Sequence, residues 1–96
     1  MKLKLIRVVD YLNITDVRIF LTSRTGPTKA FASVTFDDAF VVKDLRVVDG
    51  KKGLFVSMPS RKDRNGEFRD VCHPITTEMR NIIQEAVIEK FNQEIA

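Results

Sequence analysis

The chain has little of the residues from which reactive sites are most often built. It contains one cysteine, one histidine and no tryptophan in 96 residues. A lone cysteine, Cys72, excludes an intramolecular disulfide and a zinc site made of several cysteines. With His73 as the single histidine, no recognisable metal-ligand spacing remains. The sequence therefore predicts no metal and no cofactor, and its cysteine usage fits a reducing compartment.

Long apolar runs are also missing. The first residues, MKLKLIRVVDYLN, mix basic and apolar side chains, but Arg7 and Asp10 interrupt the apolar run and no small-residue cleavage site follows. The run is too short to span a membrane and lacks the form of a secretion signal. We therefore expect no membrane association and a cytoplasmic location.

The chain does have the composition of one small globular domain. Its charged fraction of 30% and apolar fraction of 44% are ordinary. A domain of this size buries only about 60 to 65% of the surface that its unfolded chain exposes, so a homodimer is expected. The net charge of +3 is unevenly spread, because residues 51–64 carry five bases against one acid and residues 78–94 carry four acids against two bases. This distribution is typical of a local anion-binding patch.

Alternating apolar residues predict an antiparallel meander of about five strands within residues 14–71. Residues 14–21 and 30–36 are rich in β-branched and aromatic side chains, and Ala32, Val34 and Phe36 share a face. A short Asp37-Asp38 connection leads to the next strand, residues 40–48, which should pair antiparallel with 30–36. In residues 40–48 equal parity places three apolar side chains on one face: Val41, Leu45 and Val47. Residues 54–58 and 68–71 complete the strands.

The clearest amphipathic signal predicts a helix over residues 76–93. Thr76 or Thr77 can cap its N-terminus. Its apolar residues recur at intervals of three and four and should cover one face of the sheet: Met79, Ile82, Ile83, Ala86, Val87 and Phe91. Ile88 lies off this stripe, which fits either a subunit contact or a singly exposed residue. The fold class is α+β, a single domain over 1–96 with an N-terminal extension at residues 1–13.

A basic loop over residues 59–67 is the strongest candidate for a working surface. Asn65-Gly66 is a turn dipeptide, because both residues tolerate positive φ, and the polar residues around it favour a protruding loop over a tight hairpin. Arginine forks match phosphate oxygens and lysine adds point charge. The alternative is a solvated loop that keeps the protein soluble. The candidate phosphate contacts are Arg61, Lys62, Arg64 and Arg69, with Lys51 and Lys52 as auxiliary charge.

The sequence offers little for catalysis. Cys72 and His73 are adjacent, and neighbouring strand residues point to opposite faces, so we expect a buried structural cysteine rather than a nucleophile with its base. A hydrolase that uses Asp70 and His73 lacks an activated nucleophile or a metal set. We therefore expect a protein that is not an enzyme.

The residues from Ile14 to Ala86 resemble the SpoVG (stage V sporulation protein G) family of bacterial septation and gene-expression regulators. The resemblance lies in an ordered series of segments: Thr15-Asp16-Val17-Arg18, Ala32-Ser33-Val34, Phe40-Val41-Val42, Asp44 to Gly50, Gly53-Leu54-Phe55-Val56, Met58-Pro59-Ser60, Gly66 to Asp70 and His73-Pro74-Ile75. It implies a small dimer of an antiparallel sheet with a C-terminal helix that binds DNA and RNA.

The resemblance also implies site residues. Arg61 and Lys62 match the family's basic pair after Pro-Ser, and Arg69 matches the arginine after Glu-Phe. Arg64 stands where the family usually has proline, and Cys72 replaces a usual alanine. The expected function is thus a homodimeric nucleic-acid-binding regulator linked to septation and sporulation. The alternative is a protein-interaction module that binds a partner chain of the cell-division or sporulation machinery through a strand edge or the helix.

Overall fold

The computed structural model describes residues 12–22 and 26–96, so most of the extension predicted at residues 1–13 lies outside the described residues. Within them the chain forms an α+β structure, as predicted. The elements in chain order are β1 (Ile14–Leu21), β2 (Thr28–Phe36), β3 (Phe40–Gly50), β4 (Gly53–Ser57), β5 (Ser60–Lys62), β6 (Phe68–Asp70) and α1 (Thr77–Ile95). No helix of the described chain is both long and apolar enough to cross a membrane.

Strands β1 to β4 form one antiparallel sheet in the order β1-β2-β3-β4. This is the predicted meander, because each strand pairs with its neighbour in the sequence through a short connection. Strands β5 and β6 form a second, two-stranded antiparallel sheet. Strand β5 departs from the prediction, which placed its residues in a loop, and β6, predicted as a strand of the same meander, pairs with β5 instead.

The core lies between one face of the four-stranded sheet and helix α1. Burial follows the predicted period of two along β2, where alternate residues from Ala30 to Phe36 point into the core. Each fully buried Val, Leu, Ile or Phe contributes roughly 1.5 to 3 kcal/mol of transfer free energy. The buried apolar residues are Ala30, Ala32, Val34, Phe36, Leu45, Val47, Val56, Met58, Ile83, Val87 and Phe91.

An irregularity in β3 reverses part of its predicted pattern. Leu45 and Val47 are buried as expected, but Val41 is exposed and Val42 packs against the core instead. The register explains this, because two residues of β3 stand opposite the single β2 residue between Ala32 and Val34. Asp44, in this bulge, has a positive φ of 68°. A β-bulge shifts the side-chain alternation by one residue, so the equal parity of Val41 and Leu45 did not place them on one face.

Helix α1 begins after Thr76, whose Oγ1 accepts a hydrogen bond of 3.1 Å from the backbone N–H of Met79. The predicted cap is therefore confirmed. Ile83, Val87 and Phe91 are buried, at the i, i+4, i+8 spacing of one narrow stripe. The prediction was too wide on one side, because Ile82 is exposed. It also misplaced Ile88, which packs partly against the core.

The open edge of the sheet at β4 is partly closed by the helix. The backbone N–H of Val56 donates to Oε1 of Gln84 at 3.4 Å. Paired or covered edge groups reduce the tendency of a sheet to add strands from another chain. This bond also holds α1 against the edge strand whose C-terminus leads into β5.

Candidate nucleic-acid interface

The two-stranded sheet carries most of the predicted cations and projects from the body of the protein. Residues 60–70 form what we call the basic hairpin: β5, a turn at residues 63–67, and β6. Its strands pair in the register Ser60 to Asp70 and Lys62 to Phe68. Within the described chain, the backbones of β5 and β6 approach each other and no other strand or helix. The segment thus protrudes, as predicted, but it does so as a strand-paired hairpin and not as the loop that the sequence analysis favoured.

Asp63 organises the turn of the basic hairpin. Its Oδ1 accepts from the backbone N–H groups of Asn65 at 2.8 Å and Glu67 at 3.0 Å. Its backbone N–H donates to the carbonyl of Glu67 at 2.8 Å. Gly66 has a φ of 81°, which glycine adopts without steric cost. An aspartate that bonds backbone groups a few residues ahead is a common turn device, and here it closes the five-residue connection.

Asp63 also binds a cation of the hairpin. The Nε of Arg69 donates to Oδ2 of Asp63 at 2.7 Å, and Nη2 of Arg69 lies 3.5 Å from Oε2 of Glu67. The pKa of Asp63 lies below its ordinary value of 3.8. The main cause is the hydrogen bond from the Arg69 guanidinium, and the next is the hydrogen bond from the Glu67 N–H, because both stabilise the charged carboxylate. Asp63 is therefore ionised at neutral pH, and Arg69 is held in place by two carboxylates.

The remaining cations of the hairpin are exposed and have no carboxylate partner among residues 12–22 and 26–96. Arg61 stands directly opposite Arg69 in the register. Like charges in such a pair are unfavourable, and the two carboxylates around Arg69 offset this cost. Lys62 Nζ lies 5.6 Å from the ring centroid of Phe68, a cation–π contact. Because side chains alternate along a strand, Arg61 and Lys62 point to opposite faces of the hairpin, and Arg64 extends the charge into the turn.

The base of the hairpin has one basic residue that the sequence analysis missed. Arg46 of β3 donates through Nη2 to Oγ of Ser60 at 3.3 Å. The N–H of Val71 donates to the carbonyl of Pro59 at 2.7 Å, which closes the hairpin at the same end. Arg46 is 14 residues from Ser60 in the sequence, so only the pairing of β3 with β4 brings it there.

The structure separates Lys51 and Lys52 from the basic hairpin. Both lie in the turn between β3 and β4, whereas the hairpin follows the other end of β4. At about 3.3 Å per residue, β4 places the two ends roughly 13 Å apart. The six predicted cations thus form a group of four in the hairpin and a pair at the opposite end of one strand.

The expectation of a buried Cys72 was wrong. The thiol is exposed, because β6 ends at Asp70 and the chain then leaves the hairpin in an irregular segment. His73 is exposed as well, and its Nδ1 lies 3.0 Å from the carbonyl oxygen of Pro74. Among the described residues no group of three or more His, Cys, Asp or Glu side chains is placed to hold a metal ion.

Fold and site together define a class: a small α+β protein with a four-stranded meander, one covering helix and a protruding basic hairpin. The chain belongs to the SpoVG family, whose profile matches residues 12–93. A protein of Caldicellulosiruptor saccharolyticus named "Putative septation protein SpoVG" is 51% identical over 85 residues, which are 88% of this chain and 97% of the relative. A relative of the same name from Clostridium perfringens is 51% identical over 82 residues, 85% of this chain and 91% of that protein.

Proposed function

We propose that this protein is a nucleic-acid-binding regulator of bacterial gene expression, cytoplasmic and without enzymatic activity, with a link to septation and sporulation. Its family membership and the septation name of its relatives support the cellular context. The observation that carries the molecular proposal is the basic hairpin, which projects from the body and exposes Arg61, Lys62 and Arg64 without carboxylate partners among the described residues. Such a projection fits a groove or an irregular phosphate backbone.

The chemistry of the hairpin favours phosphate over other anions of similar charge. Arg61 and Arg64 each present a planar guanidinium that can donate two parallel hydrogen bonds to one phosphate. Lys62 supplies a compact charge next to the ring of Phe68. Contacts to phosphates position a protein on nucleic acid and carry no sequence information by themselves. Binding through this hairpin is therefore salt-sensitive and only modestly sequence-specific.

Arg69 has a second role in this proposal. Its pairing with Asp63 and Glu67 holds the turn in shape, and its exposed guanidinium remains within reach of a phosphate that Arg61 binds, since the two residues are opposite each other. Lys51 and Lys52 lie at the far end of β4. They attract the nucleic acid at long range and do not contact the phosphates that the hairpin binds.

The proposed functional unit is a homodimer. The hairpin and the chain that leaves it expose large apolar side chains, of which Ile75 is 90% exposed. An isolated two-stranded hairpin is marginally stable in water, and the backbones of β5 and β6 approach no other described strand or helix, so that the Arg46–Ser60 hydrogen bond is their one described side-chain link to the sheet. A second copy that covers the apolar residues of this region would stabilise it and place two basic hairpins on one particle. The apolar residues are Phe68, Val71 and Ile75.

The test is the salt dependence of binding, measured by fluorescence anisotropy of a labelled duplex DNA and a labelled single-stranded RNA. Each phosphate neutralised on duplex contributes about −0.9 to the slope of log K against log salt. Three hairpin cations per protomer thus give a slope near −2.7, and four, with Arg69, near −3.5. The variant Arg61→Ala/Arg64→Ala should reduce its magnitude by about 1.8 and weaken binding to both probes.

The matched control is Arg80→Ala/Lys90→Ala, which removes the same charge from helix α1. It should leave the slope nearly unchanged, because the helix lies apart from the hairpin. Equal effects of the two variants would mean that net charge, and not the hairpin, attracts the nucleic acid. Absence of binding by the native protein at low salt would contradict the proposal and favour the protein-interaction module.

A further inference from the structure

Helix α1 covers one face of the four-stranded sheet, and no strand or helix within residues 12–22 and 26–96 covers the other, which we call the open face. Cross-strand partners lie on the same side of a sheet, so the register places Phe20, Phe31 and Arg46 side by side on the open face. Their neighbours in sequence, Ile19 and Leu45, pack in the core on the opposite side. Because the three residues come from three strands, their proximity is a product of the sheet.

A third aromatic ring lies on the same face at the edge strand. Phe55 pairs with Val48, and its ring covers Gly50: a Cβ at Gly50 would lie 2.9 Å from Cε1 of Phe55. The missing side chain at Gly50 therefore lets the ring lie across the β3–β4 turn. Phe20 is 57% exposed and Phe55 is 43% exposed, values high for rings of this size.

The aromatic end of the open face is also its basic end. Arg46 pairs directly with Phe31, and Lys51 and Lys52 line a depression together with Phe55 at the β4 edge, which Leu54, and Gln84 of helix α1, border from the core side. Phe20 and Phe31 also border a depression that holds two carboxylates and two cations, Asp16, Asp44, Arg18 and Lys43, in which Asp16 is neutralised by Arg18 at 3.0 Å. Arg46 also bonds Ser60 at the base of the basic hairpin. The aromatic end is thus continuous with the hairpin through one arginine.

We propose that the aromatic end of the open face stacks the bases of a single-stranded nucleic acid whose phosphates the basic hairpin holds. The platform consists of the exposed rings of Phe20 and Phe55, the half-buried Phe31 between them, and the cations Arg46, Lys51 and Lys52. Exposed aromatic rings bordered by cations are the surface on which unpaired bases stack, since every base presents a π-face. A duplex keeps its bases stacked on each other, so this face selects single strands. The inference rests on the proposed nucleic-acid function and adds its ligand class.

The charge of this end favours nucleic acid over a second copy of the chain. In a two-fold dimer whose axis passes through the aromatic end, this patch would meet itself, which would bring Arg46, Lys51 and Lys52 close to the same cations of the other copy. Like charges across an interface are costly. A polyanion with flat apolar groups satisfies both the cations and the rings.

The test compares single strands of equal length and charge that either carry bases or are abasic. Labelled oligonucleotides of about twelve nucleotides, of thymine deoxyribonucleotides or uracil ribonucleotides, match the length that such surfaces bind. Native protein should bind the base-bearing strands on the order of tenfold or more tightly than the abasic strand. The variant Phe20→Ala/Phe55→Ala should lose this preference and keep its affinity for the abasic strand, since the hairpin is intact.

Two further variants separate stacking from structural damage. Phe20→Tyr/Phe55→Tyr keeps two aromatic rings and should keep the preference, whereas Phe40→Ala, which removes an exposed ring at the β2–β3 turn, should leave it unchanged. Thermal unfolding by circular dichroism identifies a variant that fails to fold. If Phe20→Ala/Phe55→Ala unfolds, the single Phe20→Ala decides, because its ring is exposed on an edge strand.

The outcomes distinguish this inference from the function on which it rests. Equal native affinity for base-bearing and abasic strands would overturn the stacking platform and leave phosphate binding by the hairpin intact. A preference that survives in the alanine variant would also overturn it. No binding of any strand at low salt would overturn both proposals.

Discussion

At the scale of single residues, Asp63 has the most influence on the proposed site although it is an acid within a basic segment. It accepts hydrogen bonds from two backbone N–H groups with one carboxylate oxygen and from Arg69 with the other. The shape of the turn therefore depends on the hydrogen-bond acceptors of Asp63, and the position of Arg69 depends on the negative charge of Asp63. Two substitutions separate these contributions.

Asp63→Ala removes the acceptor of the Asn65 and Glu67 N–H groups, so these amides should exchange with solvent several-fold faster. Asp63→Asn keeps an amide oxygen in the place of Oδ1 and should retain their protection, while Arg69 loses its charged partner. Amide hydrogen exchange by NMR measures both effects. Glu67→Gln is the control, since Glu67 contacts Arg69 at the longer distance of 3.5 Å and accepts no described turn hydrogen bond through its side chain. Equal exchange in all three variants would mean that Asp63 does not organise the turn.

The lowered pKa of Asp63 gives the turn a defined dependence on pH. The pKa is lower in the folded hairpin than the ordinary 3.8, so the unfolded turn binds the proton more readily. The stabilising contribution is thus complete above about pH 3.8 and is lost as the pH falls through the lowered value. The amide shifts of Asn65 and Glu67 should titrate below pH 3.8 in the native protein and stay flat there in Asp63→Asn. A midpoint above pH 3.8 would contradict the role of Arg69.

At the scale of elements, helix α1 is coupled to the sheet through a narrow apolar stripe. Val87 is fully buried at the centre of this stripe, whereas Ile82, five residues earlier, is exposed. The burial pattern predicts that stability resides in Ile83, Val87 and Phe91, and the wider stripe read from the sequence predicts a contribution from Ile82 as well.

Val87→Ala should lower the free energy of unfolding by about 2 kcal/mol, because it removes buried methyl groups and leaves a cavity. Ile82→Ala should lower it by less than about 1 kcal/mol, since half-exposed side chains have less transfer free energy to lose. Urea unfolding measures both as a shift in midpoint at constant slope. A larger effect of Ile82→Ala than of Val87→Ala would show that Ile82 is covered in solution, which points to a subunit contact on the helix.

At the scale of the whole molecule, the four-stranded body and the basic hairpin differ in how they are supported. The body has a core of buried residues from three strands and the helix. The hairpin has a turn held by Asp63, one cation–π contact and a single bond from Arg46 at its base. A second copy is the proposed source of the missing apolar contacts.

Light scattering at micromolar concentration should therefore give the mass of a dimer, about twice the 11.0 kDa of one chain. Val71→Glu/Ile75→Glu should give the monomer mass, because burying two unpaired carboxylates in an apolar contact is costly. Phe40→Glu introduces a charge at an exposed ring outside this region and should leave the dimer intact. A monomeric native protein would remove the dimer proposal and leave the hairpin dependent on its ligand for support.

Local patterns in the sequence determined much of this protein. The period of two along β2, the short connections of the meander, a helix cap at Thr76 or Thr77 and a turn at Asn65-Gly66 were all predicted, because each depends on residues close together in the chain. The basic segment that carries Arg61, Lys62 and Arg64 was equally visible, since its charge is contiguous.

Features that depend on contacts between distant segments were decided by the tertiary structure alone. The bulge at Asp44, which exchanges Val41 for Val42 on the core face, follows from the pairing of β3 with β2. Arg46 reaches Ser60 because β4 runs antiparallel to β3 and ends beside Arg46. Lys51 and Lys52 are separated from the hairpin because the five residues of β4 lie between them. Phe20, Phe31 and Phe55 are scattered over 36 positions of the chain. The antiparallel register is what assembles them on one open face, and no local pattern contains that register.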